Sequence, residues 1–306
     1  CPGQIWTDLN GNPINAHGGG IIYVDGTYYW YGEHKLLGKS EREGVDGGVH
    51  CYSSTDLYNW QDEGIILSVD YQNPQSDIAL GCILERPKVI YNKRTKLYVM
   101  YFKLYLPGRG YDTGYVGVAT GTNPSGPFQY GHKFLGAGSS KGSGDFCMFQ
   151  DEDGNVYHLT VRKPDKAFCI GRLQDDCLYP EGTYKVLSDI PLHTEAPAMV
   201  RKDGIYYMIG SGSSGWAPNA ARSFSTQNLW KGYKDLGNPC IGVNTYNQLG
   251  AEKTFGAQIS FILPVKQRPG FYIAMFDIWN PERASDGLYV WLPLRIENGK
   301  LIVEWK

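Results

Sequence analysis

One hairpin pattern occurs five times along this chain, and no other feature restricts the fold as strongly. Its clearest copy joins the apolar run Ala198-Met199-Val200 through Lys202-Asp203-Gly204 to Ile205-Tyr206-Tyr207-Met208-Ile209. Apolar alternation on both sides of an Asp-Gly turn is a β-hairpin signal. The closing tyrosines of the five copies are Tyr29, Tyr98, Tyr157, Tyr207 and Tyr272. They are roughly 50–70 residues apart, a unit that holds several short strands, as in a β-propeller blade. About 12–14 residues before each tyrosine stands one polar residue: His17, Glu85, Asp145, Glu195 and Gln258. In a propeller the first strand of every blade lines a shared central channel, so these five side chains are expected to converge there.

The reading is therefore all-β: a five-bladed propeller of four-stranded blades spanning residues 1–306 as one domain. No apolar pattern keeps the 3.6-residue period over three turns, so no helix is expected. Blade one opens with His17-Gly18-Gly19-Gly20, blade two with Leu84-Glu85-Arg86, blade three near Gly144, blade four near 191 and blade five at Thr254. Residues 1–16 are rich in turn formers and read as a lead-in. By strand alternation Arg86 should point away from Glu85 and be structural.

A net charge of −2, with 29 basic and 31 acidic residues and no basic block, argues against nucleic acid or anionic membranes as partners. No apolar run approaches the roughly 20 residues of a membrane helix. Tyrosine is abundant, with 23 copies, and flat aromatic rings suit the C–H faces of sugars, although strand propensity explains many of them. The seven cysteines lack a C-x-x-C pair and hence metal-ligand spacing. Most read as buried thiols, while Cys169 and Cys177 flank a hairpin-sized gap across which they could pair. Cys1 is what an acylated bacterial lipoprotein would begin with, which fits a secreted, periplasmic or surface-anchored protein; a trimmed sequence fits equally. A monomer is expected.

Two carboxylates across a pocket are what glycosidic hydrolysis requires: a protonated one for the leaving oxygen, and a second group to activate water. Glu195, at a strand start inside an apolar channel, suits the acid, and Glu85 is its expected neighbouring charge. Asp145 is expected to accept hydrogen bonds from sugar hydroxyls; a strand-start cap is its structural alternative. Trp216, among Gly and Ser, is expected to be an exposed stacking platform.

These motifs resemble glycoside hydrolase family 43. The similarity covers essentially the whole chain and is strongest at Asn15-Ala16-His17-Gly18-Gly19-Gly20, Tyr29-Trp30-Tyr31-Gly32-Glu33-His34, Leu84-Glu85-Arg86-Pro87-Lys88-Val89, His193-Thr194-Glu195-Ala196-Pro197 and Thr254-Phe255-Gly256-Ala257-Gln258. The resemblance implies inverting hydrolysis of plant glycans containing arabinose, xylose or galactose, with Glu195 as general acid and Glu85 tuning it. The chain departs from the family in having no Asp at the first inner strand, where most members carry the general base. In that respect it resembles the branch of exo-β-1,3-galactanases, in which a fifth-blade glutamine, here Gln258, holds or activates the water. His17 or Glu33 could instead take the proton, or His17 could be a buried channel residue. The resemblance thus implies removal of terminal galactose from arabinogalactan-like glycans, with α-L-arabinofuranose as the alternative sugar and a non-catalytic sugar-binding propeller as the alternative class. No cofactor is expected to be required, although a channel-bound metal is compatible with the family.

Overall fold

The computed structural model describes residues 1–306 and contains five antiparallel sheets. Four have four strands each, consecutive in the chain. The fifth has a fifth strand, Cys240–Ile241, which pairs in parallel with the last strand, Lys300–Glu304. The first strands of the sheets are His17–Val24, Ile83–Asn92, Ser143–Gln150, Thr194–Lys202 and Gln258–Pro264. Each contacts the first strands of the blades on either side, and the fifth contacts the first, so a closed ring surrounds the axis. The expected five-bladed propeller is the fold. Its only helical segments are two short 3₁₀ turns. One of them, Ala251–Gly256, occupies the stretch that reads as the start of blade five, so the strand itself begins only at Gln258.

Each blade packs against a neighbour on both faces, and the core accordingly divides into five layers, one between each pair of adjacent blades. Phe102 and Val49 meet between blades one and two, Val118 and Phe146 between two and three, and Leu159 and Met208 between three and four. Ile209 and Phe276 meet between four and five. The layer between blades five and one is aromatic: Trp30 lies 4.8 Å from Tyr289 and 4.7 Å from Trp291, with Trp60 behind. Trp6 of the lead-in packs on the same group, 5.0 Å from Trp291.

All five inner strands carry a one-residue bulge beside the polar position. In blade two Glu85 pairs with Lys103 but Lys88 with Tyr101; in blade four Glu195 pairs with Ser211 but Ala198 with Ile209. Equivalent shifts follow His17, flank Asp145 and follow Ile259. A bulge places two residues opposite one and re-aims the side chains next to it. The residue after the polar one is left-handed at Gly18, Arg86 and Ala196, with φ of 59°, 53° and 50°. At Gly18 a side chain would fail twice, because a Cβ there would lie 2.3 Å from Glu33 Oε1. Proline, which lacks a ladder donor, fits such sites, and Pro87 and Pro197 occupy two of them.

The thiols of Cys169 and Cys177 are both free, contrary to the pairing their spacing allows. Cys177 Sγ instead accepts a hydrogen bond from Asn92 at 3.3 Å, which places it against blade two. No helix is long and apolar enough to cross a membrane.

Candidate active site

A cavity of about 490 Å³ opens at the end of the channel from which the inner strands start. Glu33, Glu85, Asp145, Glu195, Trp216 and Gln258 line it. His17 does not. Its ring is buried and stacks on Tyr289 at 5.3 Å, and neither ring nitrogen has a polar partner. Burial, with the nearby charges of Lys35 and His34, pushes it down to about 3, so it is neutral. The first blade's polar residue is thus a buried ring that does not line the cavity. The bulge after it hands the cavity position to Glu33, its partner on the second strand.

Arg86 overturns the alternation argument. The bulge turns it into the channel, where it lines the cavity and links three blades. Its Nε lies 3.2 Å from Asp145 Oδ1 and its Nη2 donates to Gln258 Oε1 at 2.5 Å. Its guanidinium also lies over the Trp279 ring, 5.6 Å from the centroid. Lys103 was not singled out in the sequence because it sits on a second strand, directly opposite Glu85. Its Nζ lies 2.7 Å from both Glu85 Oε2 and Asp145 Oδ1. Glu85 Oε1 accepts from the Tyr111 hydroxyl at 2.6 Å.

These neighbours set the protonation states. Burial favours the neutral carboxyl at Glu85, but Lys103 and Lys35 outweigh it and hold Glu85 below the usual range. Asp145 is likewise buried, and Arg86 and Lys103 hold it well below. Glu195 goes the other way. Burial raises it, the charge of Asp145 raises it further, and a hydrogen bond from Ser213 only partly opposes this. The carboxylate that acts on Glu195 is thus Asp145, with Glu85 acting on the Lys103 that both share. Glu195 Oε2 accepts from Ser213 Oγ, and Oε1 has no protein partner.

The Gln258 amide has a forced orientation. Arg86 and the Trp279 indole, which donates at 2.9 Å, have no acceptors to offer, so the atom facing both must be the oxygen. Nε2 donates to Ser211 Oγ at 2.8 Å and retains one free N–H. Glu33 is also fully engaged: Lys35 lies 2.9 Å from Oε2, and the Arg86 main-chain N–H donates to Oε1 at 2.8 Å. Lys35 binds two more acids, Asp46 at 2.8 Å and Glu41 at 3.1 Å. Glu41, absent from the sequence reading, lines the cavity, and burial pushes it up to about 7.

Trp216 is half-buried where exposure was expected. It meets Tyr111 edge-on at 6.4 Å across the cavity mouth. Lys163, Lys166 and His193 complete the rim on the side of blades three and four. Burial lowers Lys163 to about 8, helped by the charge of Lys103. No group of three or more His, Cys, Asp and Glu side chains is disposed to hold a metal ion.

The family model for glycosyl hydrolases family 43 matches residues 12–248. No curated protein matches. Among solved structures, a family 43 β-1,3-galactosidase with galactodeoxynojirimycin is 35% identical, with a TM-score of 0.90, and the match covers 100% of this chain and 98% of that one. An exo-β-1,3-galactanase from Phanerochaete chrysosporium, solved with β-1,3-galactotriose, is 32% identical with a TM-score of 0.85. An exo-β-1,3-galactanase from Clostridium thermocellum is 30% identical with the same TM-score. This chain is covered to 99% by each, but spans only 66% and 64% of those longer chains. A match over most of the chain, together with 35% identity to a family 43 enzyme along its whole length, shows that this chain belongs to glycoside hydrolase family 43.

Proposed function

We propose that the enzyme is an exo-acting, inverting β-1,3-galactosidase that removes terminal galactose from galactan chains of the arabinogalactan type. The observation that carries this reading is Glu195, a cavity carboxyl raised by burial and by Asp145, with one oxygen free to face a substrate. Relatives at 30–35% identity that act on β-1,3-galactosides support the choice of sugar. A cavity of this volume lies within the range of roughly 300–1,000 Å³ of small-ligand sites, and so suits the end of a chain.

In this mechanism Glu195 gives its proton to the departing glycosidic oxygen as the bond to the anomeric carbon breaks. Water attacks that carbon from the opposite face, and the proton it sheds as the new C–O bond forms passes to bulk water through the open cavity mouth. Gln258 holds this water through its remaining N–H, which can donate to an oxygen lone pair but cannot accept a proton. Positioning is therefore its role. Glu85 and Asp145, kept anionic by Lys103 and Arg86, stabilise positive charge as it develops on the sugar ring and accept from its hydroxyls. Glu33 orders this assembly through Arg86, and Trp216 offers a ring face at the mouth.

Hydrolysis of β-1,3-galactotriose followed by chromatography and early-time NMR tests the reading. Galactose should leave stepwise from the non-reducing end, first appearing as the α anomer. Retention of the β configuration would contradict the mechanism. Release of arabinose from α-L-arabinofuranosides with galactotriose left intact would contradict the substrate.

A further inference from the structure

The cations of the cavity differ in how they are compensated. Arg86 and Lys103 each lie within 3.2 Å of at least one carboxylate. Lys163 and Lys166, on the loop that follows the strand Val156–Arg162, have no carboxylate partner. The loop reads Arg162-Lys163-Pro164-Asp165-Lys166, and its single acid is taken by Arg162, with contacts of 3.1, 3.1 and 2.5 Å. Lys163 Nζ donates only to neutral oxygens, the Tyr105 hydroxyl at 3.3 Å and the Tyr111 carbonyl. Asp112, whose charge also reaches Lys163, is paired with Lys141 at 2.7 Å. Two half-buried ammonium groups therefore face the cavity mouth with no carboxylate in contact.

Their position says which part of a substrate they would meet. The His193 N–H donates to the Lys166 carbonyl at 3.0 Å, so the loop is tied to the segment that leads directly into Glu195. A general acid must lie within hydrogen-bond reach of the leaving oxygen. Groups flanking it on the rim therefore contact the departing glycan, while the sugar being removed occupies the cavity floor around Asp145 and Gln258.

We infer that the leaving-group side of the cavity binds an anionic substituent of the glycan, a uronate carboxylate or a sulfate ester, through Lys163 and Lys166. The inference rests on Glu195 being the acid. A partly desolvated ammonium gains more from an ionised acceptor than from a neutral hydroxyl, and two of them on one loop suit a group with several acceptor oxygens.

The test compares three ligands: β-1,3-galactobiose, and the same disaccharide carrying 6-O-glucuronate or 6-O-sulfate on its reducing-end unit. Binding is measured calorimetrically on the Glu195→Gln variant, whose hydrolysis is slow enough to leave the ligands intact during the titration, at low and high salt. At least one anionic ligand should bind about tenfold more tightly than the neutral one at low salt, as one charge-assisted contact implies, with a smaller advantage at high salt. A gain with glucuronate alone identifies a uronate site, and a gain with sulfate alone a sulfate site. Adding Lys163→Gln and Lys166→Gln should bring the ratio close to one. Lys166→Gln alone, at a side chain with no bond in the fold, should lower it in part and covers the case in which the Lys163 substitution perturbs the Tyr111 loop. Equal binding of all three ligands, or an advantage that survives both substitutions, would overturn the inference while leaving the galactosidase reading intact. Failure of all three to bind would remove that reading and this one together.

Discussion

At the residue scale the site depends on which carboxyls have a buried cation beside them. Glu85 and Asp145 share two buried cations, Lys103 and Arg86, whereas Glu195 has neither as a partner and is raised. Its protonated form acts, so activity should fall as pH rises through its pKa. Asp145→Asn removes the charge that raises Glu195 and frees Lys103 and Arg86 to lower it. Both changes have the same sign, so the alkaline limb of kcat/KM should move to lower pH; an unmoved limb would dissociate Asp145 from Glu195. Much of this was legible in the sequence, since Glu85, Asp145, Glu195 and Gln258 were placed by register alone and all line one cavity. Lys103 and Tyr111 were not, because a second-strand lysine and a loop tyrosine look like ordinary surface residues until the sheet is paired. The direction of Arg86 departs from strand alternation for a different reason. Alternation assumes a regular strand, and Pro87 was the available sign that the strand is interrupted there.

At the element scale the bulge is the device that makes a structural strand into a functional one. It recurs in all five inner strands at the cavity end, and it lets consecutive residues such as Glu85 and Arg86 both reach the channel. Gly18 is its most constrained position. Glu33 Oε1, which an added Cβ would strike, accepts from the Arg86 main chain and belongs to a carboxylate held by Lys35, so it cannot swing aside. Gly18→Ala should therefore destabilise the fold by about 2–4 kcal/mol, from left-handed backbone strain and overpacking together. Urea unfolding measures this directly, and a loss below the size of the strain alone would show that the inner strand can relax.

At the scale of the whole molecule a propeller must join its last blade to its first. Here each blade is built from its own stretch of chain, and no strand of blade one comes from the C-terminal end. Beyond the contact of the two inner strands and the Gly18 N–H bond to Asp277 Oδ1 at 3.0 Å, closure draws on the aromatic layer and on hydrogen bonds from the lead-in. The Tyr289 hydroxyl accepts from the Ala16 N–H at 2.9 Å and donates to the Ile14 carbonyl at 3.0 Å, and the Gly3 N–H donates to the Tyr289 carbonyl at 2.7 Å. Tyr289→Phe leaves a buried donor and a buried acceptor without partners, at a cost of about 2–4 kcal/mol. Since His17 stacks on the same ring, the ring should stay in place and the loss should appear in thermal unfolding before it appears in activity. A variant as stable as the parent would mean that the Tyr289 hydroxyl contributes nothing to the seam. The lead-in read only as a turn-rich segment, because nothing local to residues 1–16 encodes a partner more than 270 residues away.

The central claim, that five blades converge on Glu195 as a proton donor to a leaving sugar, is tested most directly by varying the leaving group. Glu195→Gln keeps the shape of the side chain and removes its transferable proton. On β-1,3-galactotriose, whose leaving group needs protonation, turnover should fall by about 10²–10⁴-fold. On dinitrophenyl β-galactoside, whose phenolate departs unaided, the loss should be far smaller. Gln258→Ala, which impairs the water, should slow both substrates alike. Galactotriose hydrolysed by Glu195→Gln at the parent rate would contradict the account.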